Sequence, residues 1–403
     1  MNETRRPRLL VLNQYYWPGV EATAHLLTEL CETLTEEFEV TVVTGILRGH
    51  EGEPRRTERN GVAIVRVPST AFERSKLAAR AANYLTYLGH ALAQALRGTR
   101  PDVVMSMTDP PMVGDIALVV ARRFRAPLLV ISEDVFPEIA LELKRLANPV
   151  LIGLLRGLVG LYLKRADRIV AIGETMRLRL EEKGARPERL TVIPNWVDTT
   201  VITPQPRDNG WARKRRLRNK FVVMHSGNVG HAQNLDSLVR ATTFLRDLDD
   251  LAVLIVGFGA RHDDLVALAK RLDADAVQFL HYQPRDVLPQ SLGSADVHVV
   301  GLSTGLSGYV VPSRLYGILS AGRPVIVAAD ADSETAQVVE RVGCGVVIPP
   351  GRPELLADAI RDLRARRDEL DELGARGRAY VVAEADRAVA TGRYRELLWE
   401  LAR

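Results

Sequence analysis

Short apolar runs alternate along the chain with longer stretches whose apolar residues recur at helical spacing. Strands buried on both faces of a parallel sheet are almost continuously apolar, and the helices that connect them are amphipathic. The alternation therefore predicts parallel strands joined by crossover helices. The first series of strands is expected at residues 8–13, 39–44, 102–107, 128–132, 168–172 and 190–194.

The alternation is interrupted and then restarts. The interruption contains Pro204, Pro206 and a basic run at residues 213–220, and it predicts a linker near residue 205. We expect the basic run to be solvated, with contact to phosphate or anionic lipid as the alternative. The second series is expected at residues 221–227, 251–257, 276–281, 295–300, 324–329 and 345–349.

The two series predict two doubly wound α/β domains, at residues 1–205 and 206–385. A C-terminal helix at residues 386–403 is expected to pack across the domain junction. A chain of 403 residues with 46% apolar content is longer than a single core usually supports. Ligands of such sheets bind outside the carboxyl ends of the strands, so chemistry is expected in the strand-end loops, which would face a central cleft.

Charge and cysteine content exclude several classes of protein. Lys and Arg number 54 against 50 Asp and Glu, and aromatic residues make up 5%, so no nucleic-acid partner is expected. Two distant cysteines, Cys31 and Cys344, suit a reducing compartment. The brief apolar run near the N-terminus predicts no secretory signal, and no long apolar window predicts a membrane span. The expected location is cytoplasmic.

Glycines follow the first strand of the second series. Gly227 and Gly230 precede a helix expected to start near Leu235, and uncovered amides at such a start bind anions. A structural turn explains the pattern equally well, and Gly257 carries the same ambiguity. Residues 13–27 lack the G-x-G-x-x-G of dinucleotide-binding folds, which disfavours a dehydrogenase.

A second glycine-rich loop, at residues 301–314, follows a buried strand. Gly305 and Gly308 keep the loop thin, Pro312 suits a helix start, and Ser313 is a candidate capping residue. Arg314 adds a bidentate donor, and the arrangement suits a diphosphate. The alternative is an ordinary capped helix with a surface arginine.

The string VPSRLYGILSAGRPVI, preceded by SGNVGHAQNLDSL and followed by SETAQVVERVGCGVVIPPG, resembles the family-4 retaining glycosyltransferases of the GT-B fold. The N-terminal strings NQYYWPGVEATAHLL and SEDVFPEIALELKRL look similar to the bacterial branch that includes N-acetylfucosamine and colanic-acid type transferases. The resemblance covers essentially the whole chain. It implies two facing Rossmann-like domains and transfer of a sugar from a nucleoside diphosphate to a hydroxyl, with retained anomeric configuration and without cofactor or obligatory metal.

The resemblance also implies roles for particular residues. In the donor-binding domain it places the base, with uridine preferred, at residues 281–284, the diphosphate at the two glycine loops, and an acidic residue near the sugar or ribose. The implied donor-binding residues are Gly227, Gly230, Gly257, Tyr282, Gly308, Ser313, Arg314 and Glu334. The implied acceptor-binding residues are Gly19, Asp109 and Glu133, and the implied catalytic residues are Arg314, Asn228 and Asp134.

The chain departs from the family pattern at several of these places. Asn228 and Gln233 replace an Arg and a Lys of many members, and Tyr309 and Gly317 replace a Glu-x7-Glu pair. Glu133 stands where relatives often have His or Gln. Charge neutralisation of a diphosphate would then depend on Arg314, with Arg323 as a further candidate, and on backbone N–H groups, and the departures put the ribose contact in doubt.

The expected mechanism follows from the charge that develops on the departing diphosphate, which donors in a closed site would stabilise. No carboxylate pair of the glycosidase kind stands out, which suits same-face attack in which the leaving phosphate takes the acceptor proton.

The sequence D-A-D at residues 330–332 looks like a metal-nucleotide motif, but capping of the following helix is favoured. His25 and His225 are read as structural.

Two segments combine apolar helical spacing with basic residues. They are residues 74–100, with Arg74 and Lys76, and residues 149–165. Such helices bind anionic lipid surfaces, and burial within the first domain is an equal alternative. The family link to lipid-linked saccharides favours peripheral contact with the inner face of the plasma membrane. A nucleotide-sugar epimerase or a non-catalytic two-domain ligand-binding protein remains an alternative function.

Overall fold

A computed structural model describes residues 5–19, 21–47, 49–70, 72 and 77–403. The chain divides into two compact units. The first contains the chain up to Pro194 together with Thr391–Arg403, and the second contains Asn195–Ala390. Arg74 and Lys76, at the start of one expected membrane segment, lie outside the described residues.

The first unit is built on an eight-stranded sheet. Its strands are β1 Arg8–Leu12, β2 Glu39–Gly45, β3 Arg56–Arg59, β4 Val62–Val67, β5 Val103–Ser106, β6 Leu128–Ser132, β7 Arg168–Ala171 and β8 Leu190–Val192. They lie in the order β3-β4-β2-β1-β5-β6-β7-β8. All neighbours pair in parallel except the edge strand β3, which is antiparallel to β4.

The sequence patterns missed the β3–β4 hairpin. Asn60 and Gly61 join the two strands with φ angles of 47° and 80°. Asn-Gly suits a two-residue hairpin turn in which both residues take positive φ. The hairpin strand β3 is exposed and polar, so apolar periodicity carries no signal for it.

The helices of the first unit connect these strands and cover the sheet. They are α1 Ala22–Leu34, α2 Leu77–Arg97, α3 Val113–Phe124, α4 Glu138–Glu142, α5 Pro149–Arg165 and α6 Glu174–Glu182. Helix α5 shows why such helices start where they do. The side chain of Asn148 accepts hydrogen bonds from the amides of Val150 and Leu151, and Pro149 occupies the first turn.

The second unit contains a six-stranded, fully parallel sheet. Its strands are β9 Phe221–Ser226, β10 Leu251–Val256, β11 Val277–Leu280, β12 Val297–Gly301, β13 Val325–Ala328 and β14 Gly345–Ile348. Its helices are α7 Gly210–Lys214, α8 Asp236–Ala241, α9 His262–Arg271, α10 Leu288–Gly293, α11 Arg314–Ser320, α12 Glu334–Val342, α13 Pro353–Ala365 and α14 Leu370–Glu384. Both predicted series of strands are thus confirmed.

Strand order locates a topological switch point in each sheet. The second sheet runs β11-β10-β9-β12-β13-β14, so successive crossovers change direction between β9 and β12. In the first sheet the change lies between β1 and β5. Ligands of doubly wound sheets bind outside the carboxyl ends at these points, which are therefore where functional side chains are expected.

The division between the units falls at Asn195 rather than near residue 205. The segment before residue 205 hydrogen bonds to helices of the second unit. The carbonyl of Ile202 accepts from Ser320 Oγ at 2.6 Å and from Arg378 Nη1 at 2.8 Å. The carbonyl of Gln205 accepts from Arg323 Nη2 at 2.9 Å. These contacts, invisible in a proline-rich sequence, attach the segment to the second unit.

The last helix, α15 Arg387–Ala402, starts in the second unit, and its residues from Thr391 group with the first. Tyr394 and Leu398 are fully buried. Trp399 lies against Phe38 with ring centroids 5.2 Å apart, and its indole N–H donates to Glu37. None of the helices that the structure describes is long and apolar enough to cross a membrane.

Candidate functional site

Two glycines lie at the carboxyl ends of β9 and β10 in backbone conformations that side chains rarely adopt. Gly227 and Gly257 both have φ of 138°. A Cβ atom on Gly257 would lie 1.9 Å from the carbonyl oxygen of Gly227, closer than any real contact. Glycine is therefore required at Gly257, and the two loops pack backbone to backbone at the edge of the sheet.

Arg314 brings a cation to the same place. It starts α11 and is half-buried, and a Cβ on Gly227 would lie 3.4 Å from its Cζ atom. Burial lowers the pKa of the guanidinium to about 10, while nearby Tyr282 opposes the shift. The side chain thus stays charged at neutral pH directly beside the Gly227 backbone.

A hydrogen bond to His225 fixes the position of the Arg314 side chain. Nη1 of Arg314 lies 2.8 Å from Nε2 of His225 and donates to it. Burial, and then the charge of Arg314, holds the pKa of His225 well below its ordinary value. The imidazole is therefore neutral and accepts the hydrogen bond. His225 is satisfied inside the protein, as predicted, but its partner lies 89 positions away and no local pattern indicates the pair.

The structure corrects the expectation that the loop glycines leave their amides uncovered. The amide of Gly227 donates to the carbonyl of Val256 at 2.9 Å, and that of Gly230 donates to Gln233 Oε1 at 2.9 Å. A short 3₁₀ turn, His231–Gln233, separates this loop from α8. Asn228 lies exposed between the two glycines, and its side-chain amide lies beside Gly230, where a Cβ would be 2.8 Å from Nδ2.

The second glycine-rich loop joins β12 to α11. Gly305 and Gly308 have φ of 81° and 76°, and the amide of Gly305 donates to Asp330 Oδ2 at 2.8 Å. Asp330 therefore stabilises this loop and does not cap the following helix. The loop ends at Arg314, which is the cation that the resemblance indicates.

Ser313 does not cap α11, contrary to the sequence prediction. Its backbone is already helical, with φ of −60° and ψ of −21°, and its side chain makes no capping hydrogen bond. The amide of Leu315 instead donates to the carbonyl of Pro312 at 3.2 Å. The helical geometry thus begins one residue earlier than expected, which leaves the Ser313 side chain half-buried beside Arg314.

Glu334 is the first residue of α12, at the carboxyl end of β13. The helix is capped by Ser333, whose Oγ accepts from the amide of Ala336 at 3.3 Å. A carboxylate in the first turn is stabilised by the helix dipole. Because Ser333 caps this helix, the expectation that the D-A-D motif at residues 330–332 caps it is wrong.

Tyr282 follows β11 and lies exposed near Arg314. Its hydroxyl donates to the carbonyl of Phe258 at 3.2 Å, and the charge of Arg314 counters part of the rise in its pKa that burial causes. Phe258, in the loop after β10, is 51% exposed and Tyr282 is 57% exposed. Tyr282 thus presents a partly exposed aromatic ring close to Arg314, whereas the Phe258 ring lies against His262 with centroids 4.8 Å apart.

The first unit presents a different set of groups at its switch point. Asp109 follows β5, and Glu133 and Asp134 follow β6; we call these three residues the carboxyl cluster. Burial raises the pKa of Asp134 to about 8, and the charges of Asp109 and Glu133 add to the effect. The cluster therefore holds a proton near neutral pH and presents both donors and acceptors of hydrogen bonds.

Neighbouring residues hold the cluster in place. Thr23 Oγ1 donates to Asp109 Oδ2 at 3.1 Å, and the amide of Glu133 donates to Thr108 Oγ1 at 3.1 Å. Glu133 is buried and lies close enough to Tyr394 to raise the pKa of that phenol beyond the effect of burial. Helix α15 thus contributes to this edge of the first sheet.

Gly19 lies in the loop after β1. A Cβ there would lie 2.8 Å from Glu21 Oε2 and 2.9 Å from the carbonyl of Tyr16, so a side chain does not fit without a shift. The structure places Gly19 and the carboxyl cluster on strand-end loops of the first sheet, as the sequence predicted.

The sequence patterns missed one ionisable residue. Asp115, in the first turn of α3, has both carboxyl oxygens buried without a hydrogen-bond partner among the described residues. Burial raises its pKa to about 7. An acidic residue in a first helical turn is ordinary in a sequence, so only the tertiary packing distinguishes it.

Across the described part of the chain, no group of three or more His, Cys, Asp or Glu is arranged to hold a metal ion.

Family models match both units of the chain. The glycosyl transferase 4-like domain matches residues 19–196, and the glycosyl transferases group 1 domain matches residues 210–380. The first model covers most of the first unit and the second lies within the second unit.

Individual relatives and one solved structure agree with this assignment. A probable glycosyltransferase, WbjE, of Pseudomonas aeruginosa is 26% identical over 88% of this chain and 89% of its own length. A putative colanic acid biosynthesis glycosyl transferase, WcaI, of Escherichia coli K12 is 30% identical over 49% of this chain and 50% of its own. The structure of Anabaena HepE in complex with UDP has a TM-score of 0.76 at 15% identity and covers 98% of this chain and 100% of its own. Its likeness shows the shared fold.

Proposed function

The chain belongs to the glycosyltransferases of the GT-B fold, and we propose that it transfers a sugar from a nucleoside diphosphate sugar to a hydroxyl of a saccharide acceptor. Uridine is the proposed base, because the structurally similar HepE was solved with UDP. The observation that carries the proposal is the contact of Arg314 with Gly227 and His225 at the switch point of the second sheet.

The donor half of the proposal follows from charge and access. A diphosphate carries negative charge, and a half-buried guanidinium held by a neutral partner offers N–H donors without losing its own charge. The absence of side chains at Gly227 and Gly257 allows phosphate oxygens to approach the backbone closely. Because Gly227 and Gly230 already use their amides, Arg314 is proposed as the principal ligand of the diphosphate.

The proposed roles of the remaining donor residues follow from their places. Tyr282 and the loop around it would contact the base, and Glu334 would contact the sugar or ribose from the start of α12. Gly308, Ser313 and Asn228 lie on the loops that border Arg314 and are proposed to contact phosphate or sugar oxygens.

The acceptor half rests on the carboxyl cluster. A hydroxyl group both donates and accepts hydrogen bonds, and a cluster that shares a proton near neutral pH satisfies both requirements. Asp134 is the member whose protonation is most perturbed, so it is proposed to contact the reacting hydroxyl, with Asp109 and Glu133 beside it. Gly19 keeps the neighbouring loop close-packed.

We propose retention of anomeric configuration without a metal. Breaking the sugar–phosphate bond places negative charge on the departing diphosphate. Arg314 would therefore stabilise the transition state more strongly than it stabilises the bound donor. Attack on the same face of the sugar lets a leaving phosphate oxygen take the proton of the acceptor hydroxyl. The new glycosidic bond forms as the sugar–phosphate bond breaks, and a nucleoside diphosphate leaves.

A turnover assay tests the proposal. The protein is incubated with UDP-sugars and GDP-sugars, with and without a lipid-linked saccharide, and both free nucleotide and the donor sugar are measured. We expect nucleoside diphosphate to appear only when acceptor is present. Conversion of the donor sugar without acceptor would mark an epimerase, and binding without any turnover would mark a non-catalytic ligand-binding protein.

We further propose that the first unit contacts anionic lipid through α5, which suits a lipid-linked acceptor. The outward face of this helix is apolar, with Val150 80% and Leu154 59% exposed. Exposed Lys164 and Arg165 lie in its last turn. Exposed apolar side chains flanked by cations are the pattern of helices that lie in an anionic membrane surface.

Vesicle sedimentation tests this contact. Vesicles with anionic lipid are expected to carry down more protein than neutral vesicles, and Leu154→Gln is expected to weaken the effect. Val119→Gln changes an apolar side chain of α3 that is 49% exposed, and it serves as the matched control. Equal sedimentation with both vesicle types would contradict the proposal.

A further inference from the structure

The segment that the sequence patterns classed as a linker contains a buried tryptophan. Trp211 lies in α7 and is 4% exposed. Its ring belongs to a buried apolar cluster with residues of β9 and β10, among them Val222, Met224 and Leu254. The segment is therefore part of the core of the second unit, although its cations Arg213, Lys214 and Arg218 are solvated as predicted.

The polar edge of Trp211 points to the loop that follows β11. Its Nε1–H donates to Gln283 Oε1 at 2.7 Å. The guanidinium of Arg215 stacks on the indole at 3.8 Å from the ring centroid and places Nη2 3.5 Å from the same Gln283 oxygen. Gln283 is thus held by two side chains of the α7 segment.

Gln283 in turn stabilises the conformation of its own loop. Its Nε2 donates to the carbonyl of His281 at 2.7 Å, so both ends of the side-chain amide are engaged. Tyr282 lies between these two residues and is fixed at its other end by the hydrogen bond to the carbonyl of Phe258. The backbone of residues 281–283 is therefore held in one conformation from two sides.

We propose that Trp211 and Arg215 are positioning residues for recognition of the nucleoside half of the donor, which they achieve by holding residues 281–283 through Gln283. This inference rests on the proposed function, because it assigns that loop to the base. Neither Trp211 nor Arg215 touches the ligand. The α7 segment determines how well the loop is arranged before the nucleoside arrives, and preorganisation of this kind contributes to affinity.

The test compares Trp211→Phe with a matched variant. Trp211→Phe keeps an aromatic ring in the core and removes one N–H donor. Trp399→Phe removes an indole N–H that donates to Glu37 in the first unit, far in sequence from the proposed base site. Binding of uridine and of UDP is measured by calorimetry for the unmodified chain and both variants, together with the thermal midpoint of each.

We expect Trp211→Phe to weaken uridine and UDP by the same factor, about fivefold for one buried hydrogen bond. Trp399→Phe is expected to bind both ligands like the unmodified chain. If Trp211→Phe lost affinity for UDP alone, or lost affinity for neither ligand, the inference would be overturned. An unmodified chain that binds neither ligand would instead overturn the proposed function, and the inference with it.

A second variant keeps the test valid if Trp211→Phe is poorly folded. Gln283→Ala leaves the Trp211 ring in place and removes the group that it contacts. A loss of at least fivefold is expected, because Gln283→Ala also removes the contacts with Arg215 and His281. The double variant is expected to lose no more than Gln283→Ala alone, because the hydrogen bond from Trp211 is already absent in that variant. Additive losses would contradict the mechanism.

Discussion

The two units use the same kind of sheet but place different ionisable groups at its carboxyl edge. In the second unit the edge carries Gly227 and Gly257 beside the cation Arg314. In the first unit it carries the carboxyl cluster, where burial raises the pKa of Asp134 to about 8. Both arrangements lie next to the point where strand order changes direction.

This difference suits the two ligand chemistries that we propose for the two units. Burial opposes the charged form in both units, lowering the pKa of Arg314 and raising that of Asp134. At neutral pH the guanidinium remains charged because its ordinary pKa is so high, whereas the carboxyl gains a proton. The second unit therefore suits an anion and the first suits a neutral hydroxyl.

The most disruptive change expected in the second unit is Gly257→Ala. The new Cβ would meet the Gly227 carbonyl at 1.9 Å in a backbone conformation that alanine avoids. We expect destabilisation of more than about 2 kcal/mol in urea unfolding and loss of nucleotide binding. Gly89→Ala, at an exposed helical site with open space, is the control and should be neutral or slightly stabilising. Intact UDP binding by Gly257→Ala would disprove the role given to this loop.

Arg314→Ala tests the charge side of the comparison. Removing a charged donor should weaken UDP binding about 10- to 100-fold and leave uridine binding nearly unchanged, because the base does not contact Arg314 in this proposal. Turnover at saturating donor should also fall. Arg240→Ala, an exposed arginine of the same unit, serves as the control. Unchanged turnover in Arg314→Ala would show that the leaving diphosphate is stabilised elsewhere.

Asp134→Asn tests the neutral character of the first unit. A native pKa of about 8 exceeds the unfolded value near 3.8, so the native state keeps a proton that the unfolded chain releases. The contribution of Asp134 to the free energy of unfolding is therefore fully present below about pH 4 and is lost as the pH rises to about 8. The asparagine variant should therefore gain about 4 kcal/mol relative to the unmodified chain between pH 5 and pH 8.5, at about 1.4 kcal/mol per pH unit up to the native pKa.

Urea unfolding at a series of pH values measures this effect. Asp275→Asn replaces an exposed carboxyl and should show no such trend. A constant stability difference across the range for Asp134→Asn would mean that Asp134 is ionised throughout.

The fold was largely predictable because the strands of both parallel sheets are buried and apolar. The β3–β4 hairpin was missed because β3 is polar, although the Asn60–Gly61 dipeptide and the apolar residues of β4 were local signals for it. The unit boundary was misplaced because hydrogen bonds from Ser320, Arg323 and Arg378 are made by residues distant in sequence.

The candidate site was predictable only in part. Glycines and Arg314 are visible as residue types on strand-end loops, so their general location followed from topology. The partner of Arg314, the covered amides of Gly227 and Gly230, and the burial of Asp115 depend on contacts between elements. Side-chain packing of that kind leaves no periodic trace in a sequence.

The most direct test of the central claim is a crystal structure of the protein with UDP. The account predicts that the diphosphate lies within hydrogen-bond distance of the Arg314 guanidinium, beside residues 227–230 and 305–314. A diphosphate bound elsewhere in the second unit, or at the carboxyl cluster of the first, would contradict it.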